Sequence, residues 1–319
     1  MSEQTTIKAI LDVIRENQRF LVASHESPDG DALASTLALT LALRNLGKEV
    51  VAYNPSGMVT PFGFLPGADT VVDTLTGEAP FDAGFVLDAG ELRRAGTDLR
   101  ERCAILVNID HHPYSEDFGE HYYVDESASS TGVLVYRLLR AGDVDITREI
   151  AINIYTTVLS DTGSFRYSNA DREAFLVASE MIDKGLNAWD IASRLYETQP
   201  RQRLVLLGEA LQTLTISSCG RDASISVSCE MLSKANAGPE HTDGFVNYPR
   251  SIEGVEVAIF FREISPGLYK VGFRSKGLVD VGGLARELGG GGHHNAAGAT
   301  VSGSLVEVRS QVFRRLGIS

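Results

Sequence analysis

Hydrophobic residues in the first 196 positions follow two alternating patterns. Short, nearly continuous apolar runs predict buried strands at residues 20–24, 49–53, 84–88 and 104–110. Longer stretches with helical spacing predict helices at 6–17, 32–46, 131–141, 148–160, 171–185 and 188–196. Strands that alternate with helices in this way are typical of an α/β fold with a mostly parallel sheet and flanking helices.

The pattern changes after a polar break at residues 198–202. A helix is predicted at 204–215, followed by strands at 223–228, 255–263 and 269–275, a helix at 281–288 and four glycines at 289–292. This indicates a second, smaller α/β domain. We expect a first domain at 1–189, a linker at 190–205 and a second domain at 206–319, with the active site in the cleft between the two domains.

Side chains that can bind metals follow the predicted elements of the first domain, where open α/β sheets bind their ligands. They are His25, Asp29 and Asp31 after the first strand, Asp88 at the end of the third, Asp110, His111 and His112 at the end of the fourth, and Asp161 after the helix at 148–160. One such Asp alone is usually a helix cap, and one His alone is usually an ordinary packed or surface residue. Together they favour a cation site, because clustered carboxylates repel one another unless cations neutralise them.

The mixture of donor types indicates which metals are bound. Carboxylates combined with imidazoles suit Mn²⁺, Co²⁺, Fe²⁺ or Zn²⁺, whereas oxygen ligands alone suit Mg²⁺ or Ca²⁺. No cysteine lies within these motifs, which argues against a structural zinc site. About six donor side chains are too many for a single ion with an open position, so two ions that share a carboxylate explain the number better.

Composition indicates the cellular location of the protein. The cysteines Cys103, Cys219 and Cys229 are far apart, as is typical of a reducing cytosol. Residues 1–18 are charged and amphipathic, unlike a signal peptide, and the apolar stretch at 32–43 is too short to span a bilayer. We therefore expect a cytoplasmic protein that does not associate with membranes.

Charge is unevenly divided along the chain. The net charge is −13, and residues 1–200 hold 16 Lys and Arg against 31 Asp and Glu, whereas residues 201–319 hold 13 against 11. An acidic protein without a long basic stretch is a poor ligand for long nucleic acid. The acidic first part suits cations, although a solvated surface explains most of its excess charge, and the second part can approach an anion.

Several motifs together resemble a known family. The segments SHESPDGDALAS, VLDAG, NIDHH and TVLSDTGSF are similar, in order, to the four motifs of the DHH phosphoesterase superfamily. The segments FFRE, KVGFRSKG and GGGGHHNAAGA resemble the DHH-associated C-terminal domain of the oligoribonuclease/pAp-phosphatase branch (NrnA-type). The resemblance covers nearly the whole chain.

The resemblance implies two divalent ions, foremost Mn²⁺, with Co²⁺ or Mg²⁺ as alternatives. It assigns one ion to His25, Asp29 and Asp88, and the other to Asp31, Asp88, His111 and Asp161, so that Asp88 bridges them. It further implies that His112 faces the phosphate as an electrostatic stabiliser or proton donor. Asp110 is expected to orient a neighbouring histidine.

The glycine run at 289–292 favours phosphate binding, because glycines let backbone N–H groups approach an anion and a helix N-terminus after them would attract it. A flexible connector is the alternative, and the absence of a following Lys-Ser/Thr pair excludes a Walker-type loop. With the family resemblance, the expected substrate-binding residues are Arg262, Arg274, Ser275, Gly291, Gly292, His293 and His294. A basic residue often follows the first histidine of this motif in the family, and here His294 stands in that place.

The function implied is hydrolysis of short oligoribonucleotides and dinucleotides (nano-RNA) to 5′-mononucleotides, and of 3′-phosphoadenosine 5′-phosphate (pAp) to AMP. Phosphodiesterase activity on cyclic or linear dinucleotides is the first alternative. A manganese pyrophosphatase and a non-catalytic nucleotide-binding regulator are further alternatives. The sequence leaves open whether the chain acts as a monomer or a homodimer.

Overall fold

The apolar runs near the N-terminus form one sheet in the computed structural model, which describes residues 2–77, 80–96 and 98–317. Its strands are β1 (Arg19–Ser24), β2 (Glu49–Tyr53), β3 (Val71–Val72), β4 (Phe81–Leu87), β5 (Cys103–Asp110) and β6 (His121–Val124). They lie in the order β3-β2-β1-β4-β5-β6, and every neighbouring pair is parallel. This confirms the α/β class with a mostly parallel sheet.

Helices accompany this sheet. They are α1 (Glu3–Glu16), α2 (Gly30–Asn45), α3 (Leu92–Ala95), α4 (Leu99–Arg102), α5 (Thr131–Ala141), α6 (Arg148–Asp161), α7 (Arg172–Asp183) and α8 (Ala188–Tyr196), with short 3₁₀ turns at Phe62–Phe64 and Ala68–Thr70. Helix α2 packs against β1 and β2 and also against α5 and α6, so nearly all its side chains are buried. This explains why the stretch is apolar all round rather than on one face.

The order of the strands determines where a ligand can bind. Strand β1 leads through α2 to β2 on one side, whereas its other neighbour, β4, leads to β5 on the opposite side. The sheet therefore has a topological switch point between the carboxyl ends of β1 and β4, which is the usual ligand position in open α/β sheets. His25 follows β1, Asp88 follows β4 and Asp110 ends β5, so all three lie at this edge.

The second unit is built on a mixed sheet of six strands in the order β11-β12-β10-β9-β8-β7, in which only β8 and β9 pair in parallel. Its elements are α9 (Arg201–Gln212), β7 (Thr215–Ile216), β8 (Asp222–Val227), α10 (Cys229–Ala235), a 3₁₀ turn (Pro239–Thr242), α11 (Asn247–Arg250), β9 (Val257–Ser265), β10 (Leu268–Ser275), α12 (Val281–Glu287), β11 (Gly291–His293), β12 (Ala296–Ser302) and α13 (Leu305–Arg315). Alternate residues of β9 enter two cores: Ile259 and Phe261 pack with α12 and α13, whereas Ala258 and Phe260 pack with α9 and α10.

The chain divides into the compact units Met1–Thr198 and Gln199–Ser319. The division lies within the stretch 190–205, which the sequence analysis treats as a linker. Most of that stretch is helical in the structure, because it contains the end of α8 and the start of α9. Among the described residues, none of the helices combines the length and apolar character that a bilayer span requires.

The glycine run differs from its predicted form. Gly291 and Gly292 belong to strand β11, and β12 follows where the phosphate-loop hypothesis expected a helix N-terminus. A side chain on Gly290 or Gly292 would collide with the backbone of β12, and Gly292 has a φ of 136°. These two glycines therefore allow two backbones to approach closely, which is a structural reason for their presence.

Candidate metal centre

The turn after β1 places the first donors. His25 is buried at the end of the strand, and Asp29 is the N-cap residue of α2. The Oδ1 atom of Asp29 accepts hydrogen bonds of 3.0 Å from the backbone N–H groups of Asp31 and Ala32. Asp29 therefore caps the helix and stands at the edge of the cluster, so its two explanations, cap and ligand, are compatible.

Backbone carbonyls fix the orientation of two imidazoles. Nδ1 of His25 lies 2.8 Å from the Glu26 carbonyl oxygen, and Nδ1 of His111 lies 3.2 Å from the Ala128 carbonyl oxygen. A carbonyl only accepts, so each Nδ1 carries the hydrogen, and in the neutral ring each Nε2 presents a lone pair. Nε2 of His25 faces Asp88 at 3.8 Å, as expected for a metal-binding histidine.

His111 lies at the centre of the carboxylates. Its Nε2 is 3.6 Å from an oxygen of each of Asp31, Asp88 and Asp161. These distances exceed those of direct hydrogen bonds, yet all four groups converge on one point. An ion among them would have donors on several sides.

Asp88 lies between the two histidines and is only 1% exposed. Its φ of 58° is in the left-handed region, which is uncommon for residues other than glycine. The backbone N–H of Asp88 donates to the Ile109 carbonyl at 3.1 Å, and its Oδ1 accepts from Thr131 Oγ1 at 2.9 Å. The turn after β4 thus directs this carboxylate into the cluster at the expense of backbone strain.

The start of helix α5 holds Asp31. Its two carboxylate oxygens accept hydrogen bonds from the backbone N–H groups of Thr131, at 2.6 Å, and Gly132, at 3.1 Å. Asp31 is buried, and the N-terminus of α5 stabilises its carboxylate because helix N-termini favour negative charge.

The donor atoms form three overlapping groups, each with its members within 4.8 Å of one another. The groups are His25, Asp29 and Asp88; Asp31, His111 and Asp161; and Asp88, His111 and His112. The structure therefore brings together every first-domain residue that the sequence analysis proposed as a ligand; Asp88 belongs to two of the three groups and lies 3.6 Å from His111, which belongs to the third. Their metal-binding roles stay a prediction.

Asp110 lies behind the cluster and is fully buried. Its Oδ1 is 2.7 Å from Nδ1 of His112, and its Oδ2 accepts from Ser115 Oγ at 2.6 Å and from Gly90 N at 2.8 Å. Burial alone raises the pKa of Asp110, but the hydrogen bonds from His112 and Ser115 outweigh it and lower the pKa to about 2. The ionised carboxylate can thus hold the His112 ring in place.

The pKa values of the remaining carboxylates are shifted in the opposite direction, upward. Burial, together with Asp161 and Asp29, raises the pKa of Asp31 to about 8 despite the nearby His111. Burial and neighbouring carboxylates also raise the pKa of Asp88, and burial raises that of Asp161. A divalent cation would restore the charged forms, so the donor set fits bound metal on electrostatic grounds as well as by donor type.

Sequence analysis missed three supporting residues: Thr131, Ser115 and Asn169. Nδ2 of Asn169 donates to the Ser129 carbonyl at 3.0 Å and lies 3.3 Å from Oδ2 of Asp161. The polar segment Ser129-Ser130-Thr131-Gly132 at a predicted helix start was the available signal for Thr131. Ser115 and Asn169 stand in loops, where polar residues are too common to single out.

The predicted substrate-binding residues of the second unit fall into two places. Arg274 pairs with Ala296 of β12, which also pairs with His293 of β11, so these strands meet at one end of the sheet. Arg262 pairs with Lys270 and lies four residues along β9 from Ala258, the partner of Arg274. At about 3.3 Å per residue, this separates Arg262 from the others by about 13 Å along the strand.

Ser275 and His294 are engaged within the second unit. Ser275 is buried, and its Oγ donates to Glu256 Oε1 at 3.0 Å and accepts from Gly277 N at 2.9 Å. Nε2 of His294 lies 3.0 Å from the Gly277 carbonyl oxygen. The side chain of His293 lies outside the described part of the chain. Ser275 therefore holds Gly277 in place, and the Gly277 carbonyl contacts His294, which follows the glycine run.

Comparison with known proteins agrees with this site. Residues 19–160 match the DHH family, N-terminal domain, and residues 223–316 match the DHHA1 domain. The chain is 35% identical to the bifunctional oligoribonuclease and PAP phosphatase NrnA of Thermus thermophilus, over 88% of this chain and 84% of that protein. The chain belongs to the DHH family. Enzymes of the DHH family are phosphoesterases that depend on divalent metals, which agrees with the donor set.

Further relatives support the DHH assignment. The Bacillus subtilis protein with the same name is 31% identical over 87% of each chain. The solved structure of an exopolyphosphatase-related protein from Bacteroides fragilis superposes with a TM-score of 0.93 at 31% identity, covering 98% of this chain and 96% of that one. Both DHH and DHHA1 domains are thus present, as the motifs indicated.

Proposed function

We propose that this DHH protein hydrolyses short oligoribonucleotides and dinucleotides to 5′-mononucleotides, and pAp to AMP. It would thus combine oligoribonuclease and 3′(2′),5′-bisphosphate nucleotidase activity. The observation that carries the proposal is that two donor groups share Asp88, one with His25 and Asp29 and the other with His111 and His112. The names of the Thermus and Bacillus relatives support the choice of substrate.

The donor groups are proposed to hold two divalent ions, most favourably Mn²⁺, with Co²⁺ or Mg²⁺ as alternatives. His25, Asp29 and Asp88 would bind one ion, and Asp31, Asp88, His111 and Asp161 the other. When bound, such ions activate a water nucleophile and stabilise the charge that develops on phosphate oxygens.

The residues beside the donors have separate tasks in this proposal. Asp110 fixes the His112 ring through Nδ1, so that Nε2 is the atom that faces the phosphate and stabilises its negative charge. Thr131 and Gly132 hold the Asp31 carboxylate in position by backbone hydrogen bonds. Burial of Asp31 and Asp88 excludes water from one side of the site, which strengthens every electrostatic interaction there.

The second unit is proposed to bind the remainder of the substrate. Its candidate contacts are Arg262, Arg274, Gly291, Gly292, His293 and His294, with Ser275 holding Gly277 in place. Guanidinium groups suit phosphate recognition, and the net charge of this half is close to neutral. A short substrate, rather than long nucleic acid, suits an acidic protein, and a cytoplasmic location is proposed with it.

A panel of substrates tests the proposal. The Mn²⁺-loaded protein should turn over pApA and pAp and produce mononucleotides, with pGpG, cyclic dinucleotides and pyrophosphate measured alongside. Consumption of pyrophosphate alone would contradict the proposal. Turnover confined to cyclic dinucleotides or pGpG would favour the first alternative, a phosphodiesterase that acts on cyclic or linear dinucleotides.

A matched pair of variants tests the metal assignment. Asp161→Ala removes a proposed ligand at the last residue of α6 and should abolish turnover, whereas Asp183→Ala changes the exposed last residue of α7 and should leave it intact. Folding of both variants is checked by circular dichroism. Wild-type turnover by folded Asp161→Ala would refute the two-ion assignment.

A further inference from the structure

Tyr114 is the most exposed large aromatic side chain among the described residues. It is 97% accessible and stands two residues after His112. Its ring therefore buries almost no surface within the fold and contributes nothing to the core. The residue is unused by the mechanism described above.

The backbone of Tyr114 is unfavourable for its residue type. Its φ is 62°, in the left-handed region that Gly and Asn adopt readily and that bulky residues rarely occupy. A strained backbone lowers the stability of the fold, and an exposed ring makes no packing contacts that offset this cost. Such positions are characteristic of functional sites.

The backbone on both sides of Tyr114 is fixed. The His112 N–H donates to Asp110 at 3.0 Å, and the Ser115 carbonyl accepts from the Tyr122 hydroxyl at 2.8 Å. The Tyr114 N–H itself lies 3.4 Å from Oε1 of Glu126. The ring thus projects into solvent from an anchored segment, which lowers the entropic cost of using it as a contact surface.

Distance limits the ligand that the ring can reach. Two residues of chain span at most about 7 Å, so the root of Tyr114 lies within about one nucleotide of His112. Glu116, Asp117 and Glu126 are nearby in the chain or in contact, and this negative charge disfavours a phosphate next to the ring. A neutral, flat group is the ligand that suits an exposed phenol here.

We propose that Tyr114 stacks on a nucleobase of the substrate and thereby contributes to the preference for nucleotides over other phosphate esters. The inference rests on the proposed function, because it assumes a nucleotide at the DHH site. Base–aromatic stacking tolerates any base, since every base has a π-face, so this contact would select for nucleotides without reading sequence.

Two substitutions separate stacking from backbone effects. Tyr114→Phe keeps the ring, whereas Tyr114→Asn removes it and tolerates the left-handed φ better. Trp189→Ala is the control, because Trp189 is also an exposed aromatic (68%) of the first unit but lies on α8. Tyr114→Asn should raise KM for pApA at least about fivefold with little change in kcat, and the other two should match the wild type.

Abasic substrates identify the base that is contacted. Dinucleotides that lack the base at either the 5′ or the 3′ position are compared with pApA. For one of them, the KM difference between Tyr114→Asn and the wild type should disappear. Equal KM values for Tyr114→Asn and wild type on pApA, or an equal rise on both abasic substrates, would overturn the inference.

A binding measurement distinguishes this inference from the proposed function. A dinucleotide containing 2-aminopurine should lose fluorescence on binding the Mn²⁺-loaded wild type, and retain it with Tyr114→Asn. Unquenched binding to the wild type would overturn the stacking contact even if the substrate is hydrolysed. Quenching without hydrolysis would support the contact and contradict the proposed function alone.

Discussion

Thr131 touches the carboxylates of both proposed ion sites. Its hydroxyl donates to Asp88 and its backbone N–H donates to Asp31. A side chain that orients a bridging ligand influences both ions at once, because the position of the carboxylate determines its approach to each.

Replacement of Thr131 by Val should weaken metal binding by about 10- to 100-fold, since the isosteric side chain leaves Asp88 without its donor. The measurement is Mn²⁺ titration followed by electron paramagnetic resonance. Thr131→Ser retains the hydroxyl and serves as control. Unchanged affinity in the Val variant would show that the hydrogen bond does not orient Asp88.

At the level of residues, the sequence was informative about residue types that seldom cluster unless they share a chemical role. His and Asp at several strand ends were predicted to meet, and the structure brings them together, although their roles remain proposed. Thr131 and Ser115 escaped notice because a hydroxyl at a helix start or in a loop usually serves the backbone. The partner of a hydroxyl is set by tertiary structure, which spacing along the chain does not reveal.

Helix α5 depends on one glycine for its approach to α6. A methyl group on Gly132 would overlap the side chain of Thr157, whose hydroxyl also lies 3.2 Å from Ser130. Because Gly132 also donates to Asp31, the contact between these helices controls the position of a donor to the metal centre.

Gly132→Ala should therefore destabilise the protein by about 1–3 kcal/mol, the usual effect of overpacking a buried contact. Gly208→Ala is the matched control, because Gly208 lies in α9 with open space around it and should gain about 0.5–1 kcal/mol. Urea unfolding measures both. Combination of Gly132→Ala with Thr157→Ala should restore most of the loss, and no recovery would argue against the overlap.

At the level of elements, strands with continuous apolar runs were predicted near their observed positions, because burial on both faces leaves a clear pattern. Strand β12, with the sequence AAGATVS, was missed because small residues give no alternation. Strand β11 was misjudged for a related reason: its glycines suggest a loop, and only the pairing with β12 explains them. Strand β12 depends on its pairing with β10, and β11 on its pairing with β12, rather than on a pattern within its own sequence.

Each unit has its own hydrophobic core, so metal should stabilise one unit rather than the whole molecule. The donors all lie in the unit Met1–Thr198. Ligand binding stabilises only what it binds, by about 2.7 kcal/mol at a concentration 100 times the Kd.

Hydrogen exchange with mass spectrometry tests this independence. Mn²⁺ should slow exchange in the turn after β1 and at the starts of α2 and α5, and leave β8, β9 and β10 unchanged. Asp88→Asn should abolish the effect. Slower exchange throughout Gln199–Ser319 would reveal energetic coupling between the units or metal binding in the second one.

The two-domain organisation was visible in the sequence because the pattern of elements and the charge both change near residue 200. The division at Thr198 and Gln199 lies within the predicted linker at 190–205, but the helical structure of most of that linker was not predicted, since α8 and α9 extend into it. Periodicity records the presence of helices but not which core they join.

The anchoring of His25 and His111 by main-chain carbonyls has a consequence for evolution. Every amino acid supplies the same carbonyl, so substitutions at Glu26 or Ala128 leave both acceptors in place as long as the chain path is kept. Homologous proteins are therefore free to vary the exposed position of Glu26, and with it the surface around the site, whereas the core position of Ala128 accepts only small side chains. Substitutions on that surface can change the substrate preference, while the carbonyl hydrogen bonds keep the hydrogen on Nδ1 of both imidazoles.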